Sequence, residues 1–338
     1  MAAFCCLLLS LLLSSCHNPS PYVSITGYAQ GGTYSVKLSL KGVSTPPIKI
    51  KEGIDSILTL IDTTLSGYND SSLLSRFNAG EGIVPNDMFL DMYMISRGYW
   101  ERSEGALDMA AGPLFDEWGF GFKEGKMPSD ERVAFLKENY GMAHLPSDRE
   151  AFRELCLRGA SGQKLNYNAI AQGYSCDAVA KWLYSLGAKS MLVDIGEIFC
   201  DGLNPSGVGW SIAVDKPVDG NQELGAQIQG IWQGDASPRG VVTSGNYRKF
   251  YVKDGKKYAH TIDPRSGYPA ENSLLSATVV SPDATTSDAL ATWCMVLGLE
   301  KSKALIEGDP TLEGYLIYAE GDGNMGTWAS EGFNLVSR

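Results

Sequence analysis

Segments with strand character crowd into the second half of this chain, whereas segments with helical periodicity dominate the first half. The predicted helices cover 50–65, 87–104, 129–139, 165–187 and 285–298. The predicted strands cover 33–38, 190–195, 210–214, 227–232, 240–243, 249–252 and 277–281, with a hairpin of 314–319 and 327–330. Strands that follow one another without helices between them indicate an α+β fold rather than a βα repeat.

The first 15 residues form a short apolar segment that ends in Leu13-Ser14-Ser15-Cys16. The segment is too short to span a membrane and has the size of a secretory signal. Its end matches a bacterial lipobox, so Cys16 is the predicted lipidated residue; an ordinary signal peptide cleaved nearby is the alternative. We expect a lipoprotein signal peptide over 1–15, a tether over 16–26 and one folded domain over 27–338. The expected location is the bacterial cell envelope, with the protein anchored to the inner membrane by lipid and facing the periplasm.

Charge and cysteine spacing exclude several classes of partner. The net charge of -11 makes nucleic acid a poor partner. Cys156, Cys176, Cys200 and Cys294 are widely scattered and form no CxxC pair, so zinc spacing is absent. With 3 histidines in the chain, any bound metal is expected to be a hard ion held by oxygen ligands. The sequence leaves open whether any of the four cysteines pair.

Asp288 and Thr292 are four residues apart in a predicted helix and therefore share one face. One carboxylate and one hydroxyl suit Mg²⁺, which takes few protein ligands and keeps positions for phosphate oxygens. The alternative is that Asp288 caps the start of the helix or places a charge there.

His260 lies just before the turn signals Asp263-Pro264 and Ser266-Gly267. A histidine with a near-neutral pKa can accept a proton from an attacking hydroxyl, which makes His260 a candidate general base. The alternative is a structural histidine that hydrogen-bonds the turn.

Small residues mark the segment 164–177, where Ala169, Ala171 and Gly173 open a predicted helix. A helix start without bulky side chains lets a phosphate approach backbone N–H groups, although close helix packing would leave the same pattern. Tyr68 in the polar loop 66–70 and the aromatic residues of 106–121 could stack on a flat ring or could be core residues.

Taken in order, these segments resemble the family of FAD:protein FMN transferases, the ApbE family, over nearly all of 27–300. The blocks that carry the resemblance are GTYS at 32–35, SRFN at 75–78, GPL at 112–114, WGFG at 118–121, AIAQGY at 169–174, TSGNYR at 243–248, HTIDPRSG at 260–267 and SDALAT at 287–292.

The resemblance implies a T-fold-like core with helical N-terminal insertions and a strand-rich C-terminal half. It implies Mg²⁺, FAD as donor, and transfer of FMN through a phosphoester to Ser or Thr of a target protein, with release of AMP. Typical targets are subunits of membrane redox complexes. By position, the implied metal ligands are Asp288, Thr292 and the Ala169 carbonyl, and His260 and Asp288 are the catalytic candidates. The residues implied to bind FAD are Gln30, Tyr68, Ala106, Leu107, Asp108, Asn166, Gln172, Ser244, Gly245 and Ile262.

The sequence departs from the family pattern at several of these positions. Gln30 stands where methionine is usual, Asn166 where aspartate is usual, and Gln172 where lysine is usual. The last two changes remove opposite charges and could compensate. The block at 194–197 reads DIGE rather than the usual NIGG. Two other activities remain as alternatives: an Mg²⁺-dependent FAD pyrophosphatase with water as acceptor, and a flavin-binding lipoprotein without turnover.

Overall fold

The structure is a computed structural model that describes residues 21–122, 127–218, 227–246, 250–253, 256–321 and 324–336, with the backbone alone for 250–253 and 256–259. The predicted signal peptide, Cys16, and Tyr247 and Arg248 of the sixth block lie outside these ranges. The helices are α1 (Pro47–Leu65), α2 (Leu73–Asn78), α3 (Asp87–Arg102), α4 (Gly112–Trp118), α5 (Asp130–Asn139), α6 (Arg149–Arg158), α7 (Ala171–Ser185), α8 (Ala284–Leu297) and α9 (Leu299–Glu307). The strands are β1 (Tyr22–Ala29), β2 (Gly32–Ser39), β3 (Met191–Asp194), β4 (Ile198–Asp201), β5 (Ser211–Asp215), β6 (Ile228–Gln233), β7 (Arg239–Gly245), β8 (Phe250–Lys253), β9 (Lys256–Ala259), β10 (Ile262–Asp263), β11 (Tyr268–Pro269), β12 (Leu274–Ser281), β13 (Glu313–Ala319), β14 (Met325–Ala329) and β15 (Leu335–Val336).

An antiparallel sheet of eight strands, in the order β1-β2-β3-β4-β7-β12-β13-β14, forms the centre of the fold. Neighbouring strands β2 and β3 are separated in sequence by all of α1–α7, so the helices of the first half form one long insertion. The remaining strands pair in smaller sheets, β15-β6-β5, β10-β11 and β8-β9. The predicted α+β class is confirmed, and the helices of the first half do precede most of the strands.

Helix α8 is an interior helix. Both β7 and β12 pack on one side of it and α7 packs on another, and its residues are buried over almost its whole length. A helix that is apolar all round belongs in the core of a protein. The side chains of Ser287 and Asp288 on α8 are therefore held away from bulk water.

The two largest differences from the predicted boundaries are at the tether and at the start of one helix. The tether expected over 16–26 is wrong at its C-terminal end, because β1 begins at Tyr22 and pairs with β2 from Tyr22 opposite Ser39 to Ala29 opposite Gly32. The helix expected from residue 165 begins at Ala171, because the preceding segment is tied to other loops. The Asn166 amide, for example, donates to the Met109 carbonyl at 2.7 Å.

The four cysteines left open by the sequence are free and buried thiols. None of the helices within the described ranges combines the length and hydropathy needed to cross a membrane.

Candidate active site

A cleft of about 1250 Å³ opens beside α8 and the start of α7. Its walls come from the β1–β2 turn, the end of α1 with the loop after it, the loops around α4, the segment before α7, and the loop after β9. Pockets for drug-sized ligands measure roughly 300–1,000 Å³, so this cleft has room for a dinucleotide.

Most of the residues singled out from the sequence line this one cleft, although they come from distant parts of the chain. Those that line it are Gln30, Tyr68, Ala106, Leu107, Asp108, Asn166, Ala169, Gln172, Ser244, His260, Ile262 and Thr292. Asp288 and Gly245 are not among the lining residues. Gly245 follows the lining residue Ser244 at the end of β7, and Asp288 lies one helical turn before Thr292.

Asp288 sits in the second turn of α8 with 4% of its surface exposed. Its Oδ2 accepts a hydrogen bond of 3.0 Å from the Gly173 amide at the start of α7. It does not cap α8, because Asp283 does so by accepting from the Thr286 amide at 2.7 Å. The capping alternative for Asp288 is therefore wrong.

Burial raises the pKa of the Asp288 carboxyl to about 7; the Gly173 amide opposes this rise and the nearby Asp177 carboxylate adds to it. A desolvated carboxylate with so little compensation is costly to keep charged unless a cation binds it. Thr292 is one turn further along the same helix, and its Oγ1 lies 3.4 Å from Ser244 Oγ.

The donor set suits a hard cation. Within the described residues no group of three or more His, Cys, Asp or Glu side chains could hold a metal. An ion at this corner would have one carboxylate from Asp288, the Thr292 hydroxyl and the Ala169 carbonyl, with its other positions left for water and ligand oxygens. That arrangement fits Mg²⁺, which keeps several waters or substrate oxygens.

Gly173 brings α7 and α8 into close contact. A Cβ at this position would lie 2.2 Å from the Ala284 carbonyl oxygen and 2.9 Å from Asp288 Cβ. The close-packing interpretation of segment 164–177 is therefore confirmed for Gly173. Its amide is used by Asp288, which leaves it no proton to offer a phosphate.

Asn78 supports the segment that enters α7, a role that could not be predicted from its place in a family block. Its Nδ2 donates to the Leu165 carbonyl at 2.8 Å, and the Leu165 amide donates back to its Oδ1 at 2.7 Å. These two hydrogen bonds fix the position of Leu165. The next residue, Asn166, is buried in the cleft wall.

Tyr68 is 68% exposed at the mouth of the cleft. Phe122 contacts its ring edge-on with 5.1 Å between the centroids, and Asn168 Nδ2 donates to its hydroxyl at 3.3 Å. An aromatic ring this exposed at a cleft can stack on a flat ligand.

His260 lines the cleft close to Phe120 of the WGFG block, with 6.4 Å between the ring centroids. Two contacts hold the loop that carries Phe120. Lys164 Nζ pairs with Asp116 Oδ2 at 2.5 Å, and Asp116 Oδ1 accepts from the Phe122 amide at 2.9 Å. The WGFG loop is thereby fixed against the segment before α7.

Comparison with known proteins connects this geometry to a family. The family model described as ApbE family matches residues 30–316. The chain belongs to the ApbE family. It is 33% identical over 297 residues to the FAD:protein FMN transferase of Escherichia coli (strain K12), covering 86% of this chain and 82% of that protein. It is 31% identical over 337 residues to the FAD:protein FMN transferase of Haemophilus influenzae, covering 97% of this chain and 95% of that protein.

Solved ApbE structures share the fold. The flavin transferase ApbE from Vibrio cholerae superposes with a TM-score of 0.75 at 30% identity, covering 93% of this chain and 99% of that one. The apo flavinyl transferase ApbE from Pseudomonas stutzeri gives a TM-score of 0.77 at 33% identity, covering 92% of this chain and 95% of that one.

Two of the departures from the ApbE family pattern meet in the structure. Gln172 Nε2 donates to the Ile195 carbonyl at 3.4 Å, within the altered block at 194–197. Gly196 has a φ of +92°, and a Cβ there would lie 2.4 Å from Gln172 Nε2. The positive φ is the reason that glycine is favoured at position 196.

The cleft of this ApbE-family chain is acidic. Among its lining residues in the described ranges there is no lysine or arginine, whereas Asp62, Asp70 and Asp108 are present. Burial raises the pKa of Asp108, which is opposed by hydrogen bonds from the Met142, Ala110 and Ala111 amides. Among the described lining residues, the groups available to a bound pyrophosphate are backbone amides and hydroxyls, together with a metal ion if one binds.

Proposed function

We propose that this chain is an Mg²⁺-dependent FAD:protein FMN transferase. It would move FMN from FAD to a Thr or Ser hydroxyl of a target protein through a phosphoester bond, with AMP as leaving group. The observation that carries the proposal is the buried carboxyl of Asp288, one helical turn before Thr292, which lines a dinucleotide-sized cleft. Similarity over most of the chain to proteins named FAD:protein FMN transferase supports it.

In the proposed mechanism the exposed ring of Tyr68 stacks on the flavin, and Ser244 and Gly245 contact the phosphates. Asp288, Thr292 and the Ala169 carbonyl would hold Mg²⁺, which would supply positive charge beside the pyrophosphate. His260 takes the proton of the acceptor hydroxyl. The hydroxyl oxygen forms a bond to the FMN phosphorus, the bond from that phosphorus to the bridging oxygen breaks, and AMP leaves with the electron pair. We assign the base to His260 because a metal-bound carboxylate is a weaker base than a free one.

One incubation separates this proposal from the two alternatives. The full chain is mixed with FAD, Mg²⁺ and a threonine-containing acceptor peptide, and the products are resolved by mass spectrometry. Flavinylated peptide and AMP are expected. Free FMN and AMP with unmodified peptide would identify a pyrophosphatase, and unchanged FAD would identify a passive flavin-binding protein.

The proposed partner is a subunit of a membrane redox complex, reached by an enzyme that is anchored through lipid on Cys16 and faces the periplasm. The lipobox sequence Leu13-Ser14-Ser15-Cys16 supports the anchor. Cys16→Ala should release the protein from the membrane fraction or block its processing. A wild-type protein that incorporates no fatty acid and fractionates with soluble proteins would refute the anchor.

A further inference from the structure

Asp177 joins α7 to the start of α8 through three hydrogen bonds. Its Oδ1 accepts from the Ala284 amide at 2.8 Å. Its Oδ2 accepts from the Thr285 amide at 2.8 Å and from the Thr285 hydroxyl at 2.5 Å. The first amides of a helix have no partner within the helix. Two of the first amides of α8 therefore donate to a side chain of the neighbouring helix α7. That side chain lies 107 residues before Ala284 and 108 before Thr285.

Asp177 lies four residues after Gly173, so both residues share one face of α7. Gly173 contacts Ala284 and Asp288, while Asp177 binds Ala284 and Thr285. Two successive turns of α7 are thus fastened to the first two turns of α8. The candidate metal ligands divide across this contact, because Ala169 precedes α7 and Asp288 and Thr292 belong to α8.

We infer that Asp177 is a positioning residue that sets the distance between the Ala169 carbonyl, just before α7, and the metal-ligand side chains of α8. This inference rests on the metal assignment in the proposed function. A carboxylate that binds two adjacent amides fixes both the separation and the rotation of the two helices, which a single hydrogen bond would not do. Groups that orient metal ligands typically change metal affinity 10–100-fold when they are removed.

Asp283 provides a matched control on the same helix end. It accepts from the Thr286 amide at 2.7 Å and from the Thr286 hydroxyl at 2.9 Å, so it makes the same kinds of bond. It belongs to the segment that leads into α8, however, and these bonds do not reach α7. Replacing Asp177 or Asp283 by asparagine keeps one acceptor oxygen and turns the other into a donor, so each change breaks part of a comparable set of hydrogen bonds. Only the change at Asp177 weakens the contact between α8 and α7.

The test is calorimetric titration of the full chain with Mg²⁺ in the absence of FAD, together with thermal melting by circular dichroism. Asp177→Asn should raise the Kd for Mg²⁺ by roughly 10–100-fold, and Asp283→Asn should leave it within about twofold of wild type, while both lower the Tm. FAD affinity measured in EDTA should be unchanged in both. Thr285→Val keeps the Asp177 charge but loses one hydrogen bond, and should raise the Kd by a smaller factor.

Equal changes in Kd for Asp177→Asn and Asp283→Asn, or a lowered Tm with no change in Kd for Asp177→Asn, would overturn the positioning role. If the Kd for Mg²⁺ rises in Asp177→Asn but is unchanged in Thr285→Val, the effect comes from the lost charge. That result would also overturn the positioning role. If Asp177→Asn does not fold, Thr285→Val against wild type decides the question. Failure of the metal assignment itself is distinguishable, because wild type and Asp288→Ala would then bind Mg²⁺ equally or not at all.

Discussion

The indole Nε1 of Trp118 donates a hydrogen bond to the Gly267 carbonyl oxygen across 2.8 Å. This bond joins the end of α4 to the turn between β10 and β11, and both residues are buried. Phe120 follows the donor and His260 precedes the acceptor turn, so the bond ties together the two loops that carry these cleft residues.

Trp118→Phe should destabilise the protein by about 1–3 kcal/mol, because the ring stays buried but the Gly267 carbonyl loses its donor. Urea unfolding measures this change. Trp328→Phe is the control, since Trp328 is half-buried in β14 and does not line the cleft. This variant should lower the free energy of unfolding by less than Trp118→Phe does. Equal losses in the two variants would contradict the role given to the Trp118 bond.

Gly173→Ala should destabilise the fold by about 1–3 kcal/mol, since the added Cβ would force α7 and α8 apart. The same substitution at Gly98 in α3 is the control, because a Cβ there meets nothing within 4 Å. Gly98→Ala should stabilise the protein by about 0.5–1 kcal/mol, since a helical glycine loses more entropy on folding than alanine. Thermal melting of both variants tests this prediction. If the Tm of both variants shifts in the same direction, the close contact of the two helices is refuted.

Local patterns were enough to predict the helices that carry the site. The spacing of Asp288 and Thr292 requires only a helix, and the helix predicted over 285–298 is present as α8. The burial of Asp288 could not be predicted, because it depends on β7, β12 and α7 closing around α8. Its partner Gly173 lies 115 residues away, and no local pattern carries that contact.

The same limit explains the contributions that were missed. Asn78 acts on Leu165 over 87 residues, and Asp177 acts on Ala284 over 107. Both residues fall in or beside family blocks, which was the one available sign of a role. The polar residues around Tyr22 favoured a tether over a strand, because β1 is an edge strand whose mixed pattern of exposure leaves little hydrophobic alternation.

Mg²⁺ affinity should depend on pH between 8 and 6. Burial raises the pKa of Asp288 to about 7, so the carboxyl is mostly charged at pH 8 and mostly protonated at pH 6. Because a proton and the metal compete for the same oxygens, the apparent Kd should rise by about tenfold over this range as the pH falls. Calorimetric titrations at three pH values test this, and a Kd that does not change between pH 8 and 6 would refute the assignment of Asp288 as a ligand.

His260→Asn should lower kcat by roughly 10²–10⁴-fold, because asparagine retains hydrogen bonding but cannot take the proton of the acceptor hydroxyl. FAD affinity should change little, since the ring that stacks on the flavin and the metal ligands are untouched. If His260 is structural instead, the variant should have a lower Tm and weaker FAD binding, and saturating FAD should restore the rate. His144→Asn is the control, because His144 is exposed and does not line the cleft. Single-turnover rates at saturating FAD and acceptor, measured with FAD affinity and Tm on the same preparations, separate the two roles. An unchanged single-turnover rate in His260→Asn would move the base to Asp288, whose carboxylate would then have to exchange between the metal and the proton.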